Sequence, residues 1–139
     1  LQDIVRMPSL VPNILKPNRA FEIKGLKIMP IKILGHCPES IGYIFNDGEV
    51  VYIADYRKLE DEAFSCISKD VQLIILPMTT MEGSEFHAGI DEVLRDVERL
   101  GGKQAVINHM AAECDYDEVM QNTPQNVSPA YDNMIIKID

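Results

Sequence analysis

Three histidines occur in the 139 residues, and each stands at the edge of a stretch whose pattern predicts a strand or helix. His36 follows Lys32-Ile33-Leu34, His87 precedes a helical stripe that starts at Ile90, and His109 follows Ala105-Val106-Ile107-Asn108. Imidazole serves either as a neutral metal ligand or as a proton carrier near neutral pH, and strand ends are where side chains from several strands converge. Asp55 closes the run Val50 to Ala54 in the same manner. A carboxylate there could bridge two cations that His36 and His109 help to hold. Taken singly, each residue also has a plain account: a loop position for His36, a helix cap for Asp55, a helix-start position without chemistry for His87, and a satisfied core imidazole for His109. Four such residues at four element ends shift the balance toward a site.

Other constellations read as structure. Cys114-Asp-Tyr-Asp-Glu118 has the acid count of a cation loop, yet Asp115 and Glu118 have capping-box spacing for a short helix. Gly101-Gly102 follows a helix and precedes a strand, the reverse of a phosphate loop, and reads as a helix stop. There is no GxSxG elbow, and Cys37 next to His36 is more often an inert small hydrophobe than a nucleophile. Covalent catalysis has little support. Met78, Met81 and Met110 read as filler.

The elements that must position these residues follow from pattern. Residues 1–20 contain Pro8, Pro12 and Pro17 and read as a connecting arm. Phe21 to Leu34 alternates about Gly25, as a bent or paired strand with a turn or bulge there. Asp47-Gly48, between IGYIFN and EVVYIAD, predicts a two-residue hairpin. A short helix within Leu59 to Ile67, a strand from Val71 to Leu76 buried on both faces, and a loop from Thr79 to Ala88 follow. Ile90, Val93, Leu94, Val97 and Leu100 form one stripe of an amphipathic helix. A strand from Gln104, a short helix over Asp115 to Gln121 and a last strand over Met134 to Ile138 complete the order. The fold class this predicts is α/β (α+β), one mixed sheet covered by helices, in a single domain.

Composition narrows the partners. Thirteen Lys and Arg against 22 Asp and Glu give a net charge of −9, which argues against a general nucleic-acid binder. No apolar run approaches a bilayer span and no basic start leads into an apolar stretch, so a soluble, cytoplasmic protein without a membrane partner is expected. Three cysteines without CxxC spacing indicate neither a disulfide framework nor a zinc ribbon. The start at Leu1 rather than Met admits a chain cut from a longer polypeptide.

The order and spacing of GHCPESIGYIF, DGEVVYIAD, EFHAGIDEVLRDVERLGGKQAVINHM and CDYDEVMQNTPQNVSPAYDNMIIKI resemble the C-terminal half of the metallo-β-lactamase fold hydrolases. The likeness is strongest to the branch that contains phosphoribosyl cyclic phosphate phosphodiesterase, with ribonuclease Z as a cousin. The resemblance implies that residues 21–139 are the C-terminal half of an αββα sandwich. It also implies that His36, Asp55 and His109 are metal ligands, with Asp55 bridging, and that His87 lies near the scissile phosphate and assists proton transfer. The cofactor implied is a pair of divalent ions, zinc or manganese, with iron equally compatible with the ligand types.

Departures from the family pattern bear on activity. The HxHxDH motif that supplies the family's other ligands is absent, and three ligands cannot complete two catalytic metal sites. Asn108-His109-Met110-Ala111-Ala112 lacks the second His that some members use for a structural zinc, and PAYDN stands where PAYDG is commoner, a change Asn tolerates in a left-handed position. The expectation is a metal-dependent hydrolase acting on a small phosphodiester, lacking its N-terminal half and inactive alone. The alternative is a non-catalytic half-fold that pairs with itself as a homodimer or with a separate N-terminal half. A thioester or lactam substrate stays open on the same fold.

Overall fold

The computed structural model describes residues 11–35, 40–67 and 70–138. Their backbone forms one seven-stranded sheet in which spatial order follows chain order. The first strands, β1 (Phe21–Ile23), β2 (Leu26–Lys32), β3 (Ile41–Phe45) and β4 (Val50–Tyr52), run as an antiparallel meander. From β4 onward, β5 (Leu73–Pro77), β6 (Gln104–Asn108) and β7 (Val127–Pro129) pair in parallel. Parallel neighbours require crossovers. These are made by α1 (Asp61–Ser65), α2 (Ile90–Leu100) and α3 (Tyr116–Gln121) in turn.

The turns behave as their residues dictate. Lys24 and Gly25, both at positive φ, join β1 to β2 with Ile23 opposite Leu26, so Gly25 is a turn residue and not a bulge. Asp47 and Gly48 are likewise at positive φ, inside a turn closed by Glu49 N–H on the Asn46 carbonyl. The ladder itself starts one pair further out, at Phe45 opposite Val50. Gly101 caps α2 in the left-handed conformation at φ 68°. Asp115 caps α3 by accepting from the Glu118 N–H at 3.0 Å, and Asn133 has φ 64°.

Strand alternation separates two faces. Ile44, Val51, Ile74, Ala105 and Val127 are neighbours in register and buried, as are Ile53, Leu76 and Ile107 two residues on. Val93, Val97 and Leu100 of α2, Ala63 of α1 and Val119 of α3 join the same cluster. The opposite face carries Tyr43, Tyr52 and Ile75, which are only half-buried. On β5 itself Leu73 and Pro77 share that face and are buried, so the expected burial on both faces holds there except at Ile75.

Two further differences concern the ends. Residues 11–20 form no strand or helix; they lie beside β2, where the Asn18 N–H donates to the Pro30 carbonyl at 2.7 Å. Residues 134–138 are extended but make no ladder among the described residues, so the last strand is β7 and the expected strand over Met134 to Ile138 does not form. Met134 and Ile136 instead flank a hollow with Gln104, Val106 and Ser128, using their apolar alternation to pack against the sheet rather than to extend it. No helix among the described residues is long and apolar enough to cross a membrane.

Candidate functional site

Asp55, His87 and His109 meet above the ends of the parallel strands. Each offers a ligand atom, and these atoms all lie within 4.8 Å of one another. Asp55 follows β4, His109 follows β6, and His87 comes from the loop after β5, so topology places three consecutive strand ends side by side. His36 lies outside the described residues. Gly35, next to it in sequence, packs so tightly against Asp55 that a Cβ on Gly35 would overlap the Asp55 carbonyl oxygen and approach Ser40 Oγ to 2.8 Å.

Both turning residues pay a conformational cost. Asp55 has φ 56° and His109 φ 62°, the left-handed region in which a Cβ crowds the backbone by roughly 1–2 kcal/mol. Strain of this kind at a strand end turns the chain sharply and presents the side chain above the sheet. Replacing His109 with Gly should therefore raise stability by about 1 kcal/mol, whereas His109→Ala should not. Urea unfolding of the two variants beside wild type checks this.

His87 is held from both ring nitrogens. Its Nε2 lies 2.9 Å from Asp55 Oδ1, and Ser84 Oγ lies 3.4 Å from its Nδ1. Ser84 Oγ also accepts the backbone N–H groups of Phe86 and His87, at 3.2 and 3.1 Å. This arrangement suits a neutral ring that donates from Nε2 to the carboxylate and receives the serine proton at Nδ1. The imidazoles of His87 and His109 lie 5.9 Å apart between centroids.

The loop that carries His87 is stitched to its neighbours by backbone bonds. Ala88 N–H donates to Tyr56 O at 3.2 Å, Ile90 N–H to Met81 O at 2.9 Å and Ala111 N–H to Thr79 O at 2.9 Å. The loop is cinched where Gly83 and Gly89 approach: a Cβ on Gly89 would meet Glu82 and Gly83 backbone atoms at 2.7 Å. Arg57, two residues past Asp55, donates to Glu92 Oε1 at 2.5 Å, while Glu92 Oε2 accepts from Gly89 N–H at 3.0 Å. Burial alone would raise the Glu92 carboxyl, but these two hydrogen bonds and the charges of Arg57 and Arg95 hold it below the usual range. Beneath them Asp96 is buried, which pushes its carboxyl up against the opposing pull of Arg95 and Arg99.

Two of the plain accounts, those of Asp55 and His109, do not describe the structure. Glu60, not Asp55, occupies the cap position of α1, and His109 is exposed rather than buried in the core. Cys114 donates to Thr79 O at 3.2 Å, and burial, reinforced by Glu113 and Glu82, raises its thiol rather than activating it. The contacts that pattern reading missed are those of Ser84, Arg57 and Glu92. Only Glu92 left a trace in the text, as a glutamate at the third position of the predicted helix.

No protein-family profile matches the chain, and no curated protein does. Solved structures do. A diphosphatase of the PhnP family superposes with a TM-score of 0.78 at 20% identity, over 88% of this chain and 47% of its own. The metallo-β-lactamase fold protein YhfI from Bacillus subtilis gives 0.69 at 17%, over 84% and 50%. CmlA, a diiron β-hydroxylase from Streptomyces venezuelae, gives 0.62 at 9%, over 84% and 33%. The chain spans about half the length of the first two of these proteins. Its mixed sheet, helix cover and element order are those of the metallo-β-lactamase fold.

Proposed function

We propose that the chain is the C-terminal, metal-binding half of a metal-dependent hydrolase whose substrate is a small phosphodiester. The observation that carries this reading is the convergence of Asp55, His87 and His109 at three adjacent strand ends. Asp55 and His109 supply a carboxylate and an imidazole, ligand types that suit zinc, manganese or iron, and His87 stands beside them with its ligand atom within 4.8 Å of theirs. In this reading Asp55 and His109, together with His36, would hold the ions. The packing of Gly35 against Asp55 supports the inclusion of its sequence neighbour.

When bound, such ions polarise a phosphoryl oxygen and lower the pKa of water, which supplies a nucleophile at neutral pH. The chain's own residues would then orient the substrate and move a proton. His87 would deliver the proton carried on its Nε2 to the leaving oxygen once that N–H turns from Asp55, with Ser84 holding the ring through Nδ1. The diphosphatase among the structural neighbours acts on a phosphoryl centre, whereas the diiron β-hydroxylase shows the fold serving oxidation. The fold alone therefore does not choose the substrate.

A second reading is that of a non-catalytic half-fold that pairs with a copy of itself or with a separate N-terminal half. The half-open sheet face with Tyr43, Tyr52 and Ile75 favours pairing in both readings, so metal decides between them. Metal content and mass should be measured on the chain before and after adding manganese or zinc, beside His36→Ala and His109→Ala. Bound metal that disappears in both variants is the expected result. Metal-free samples throughout would mean an incomplete or non-catalytic piece and turn the search to a separate N-terminal half.

A further inference from the structure

The carboxylate of Glu92 accepts hydrogen bonds from two segments that are remote in sequence. Its Oε1 takes the Arg57 guanidinium at 2.5 Å and its Oε2 takes the Gly89 N–H at 3.0 Å. Arg57 lies two residues beyond Asp55, and Gly89 lies two residues beyond His87. Each oxygen thus anchors the chain immediately downstream of one member of the 2.9 Å Asp55–His87 pair. Between these anchors, one backbone bond from Ala88 N–H to Tyr56 O, 3.2 Å long, joins the same two segments.

We infer that Glu92 and Arg57 are positioning residues, a clamp that sets the separation and orientation of Asp55 and His87 without touching the reacting atoms. A helix cap alone would need only the Gly89 contact. The charged contact to Arg57 does nothing for capping, yet it fixes the segment that follows Asp55. Both side chains are about one-third exposed, at 34% for Arg57 and 29% for Glu92, so the pair is partly shielded from water and screened less than a surface ion pair. The Asp55 turn is strained at φ 56°, and a strained turn keeps its geometry only where its surroundings over-determine it. The clamp supplies such a restraint. Supporting shells of this kind govern how well a ligand or proton carrier is aimed, and their loss costs about 10–100-fold in metal affinity or activity.

The inference rests on the assignment of Asp55 and His87 to the working site, and its test has two independent arms. The first reads His87 without metal. Long-range proton–nitrogen NMR spectra of the whole chain report which imidazole nitrogen carries the proton. Wild type should show His87 held in the tautomer protonated at Nε2. Arg57→Ala leaves the Gly89 cap in place, and it should shift His87 toward an averaged pattern of both tautomers. Arg57→Lys should restore most of the wild-type pattern, and Glu92→Gln should fall between wild type and Glu92→Ala. A His87 spectrum unchanged by Arg57→Ala would overturn the clamp and leave Glu92 as a helix cap only. If Glu92→Ala fails to fold, the two Arg57 variants decide.

The second arm measures manganese affinity by the ion's paramagnetic resonance. Arg57→Ala should weaken binding by about 10–100-fold. Absence of manganese binding in wild type would count against metal binding by this half alone, while the His87 spectrum would still judge the clamp.

Discussion

Asp55→Asn should weaken metal binding by the chain at least ~100-fold while leaving its fold intact. Asn keeps the size of the side chain and tolerates the left-handed backbone as well as Asp does, so the turn at φ 56° should survive and stability should change by less than about 0.5 kcal/mol. The loss is in charge and donor strength. A neutral amide is a weaker metal donor than a carboxylate, and since merely perturbing a supporting residue costs about 10–100-fold in affinity, removing a carboxylate that the proposed function makes a ligand should cost at least ~100-fold. Titration calorimetry with manganese, paired with urea unfolding of the same samples, checks both halves. Undiminished affinity in Asp55→Asn would remove Asp55 from the metal site. His87, whose Nε2 faces the same oxygen at 2.9 Å, would keep a hydrogen-bond acceptor in the variant, so its ring position should change little.

Gly35→Ala should have the second large effect, and by a different route. A Cβ at position 35 would collide with the backbone carbonyl of Asp55 and crowd Ser40. A backbone oxygen cannot rotate away as a side chain would, so either the Asp55 turn or the segment that holds Gly35 must move. Overpacking of this kind costs about 1–3 kcal/mol, or a fall of roughly 4–12 °C in Tm for a chain of this size. Gly25→Ala is the matched control: nothing lies within 4 Å of a Cβ there, so its cost is that of a side chain at φ 84° alone. Thermal scans of the two variants separate collision from backbone strain. An equal or smaller loss in Gly35→Ala would mean that the contact with Asp55 yields easily. In the Gly35 variant the metal affinity should fall together with stability, because the collision is with a residue of the site itself.

These expectations show where pattern was sufficient. The stripe Ile90 to Leu100 with its Gly101 stop, and the alternation around Asp47-Gly48, are local signals. A period of 3.6 or 2 and a glycine or aspartate at positive φ are decided within a few residues, so α2 and the β3–β4 hairpin lie where the text puts them. The final segment shows the limit. Met134 to Ile138 alternates like a strand, yet a strand needs a partner ladder, and β6 already pairs with Val127–Pro129.

The candidate site divides in the same way. Residue type and placement at element ends singled out His87, His109 and Asp55 before any coordinates, because chemistry-bearing side chains at strand ends leave a mark in the linear text. The strained backbone at Asp55 and His109, the approach of Gly35 to Asp55, and the reach of Glu92 to both Arg57 and Gly89 leave almost none. They join residues as far as 35 positions apart, and such contacts exist only once the parallel crossovers bring β4, β5 and β6 side by side. The sequence by itself determined which groups could do the chemistry and which local elements carry them. Only the tertiary structure decided their distances, because these depend on strand pairing and loop closure that no local period encodes.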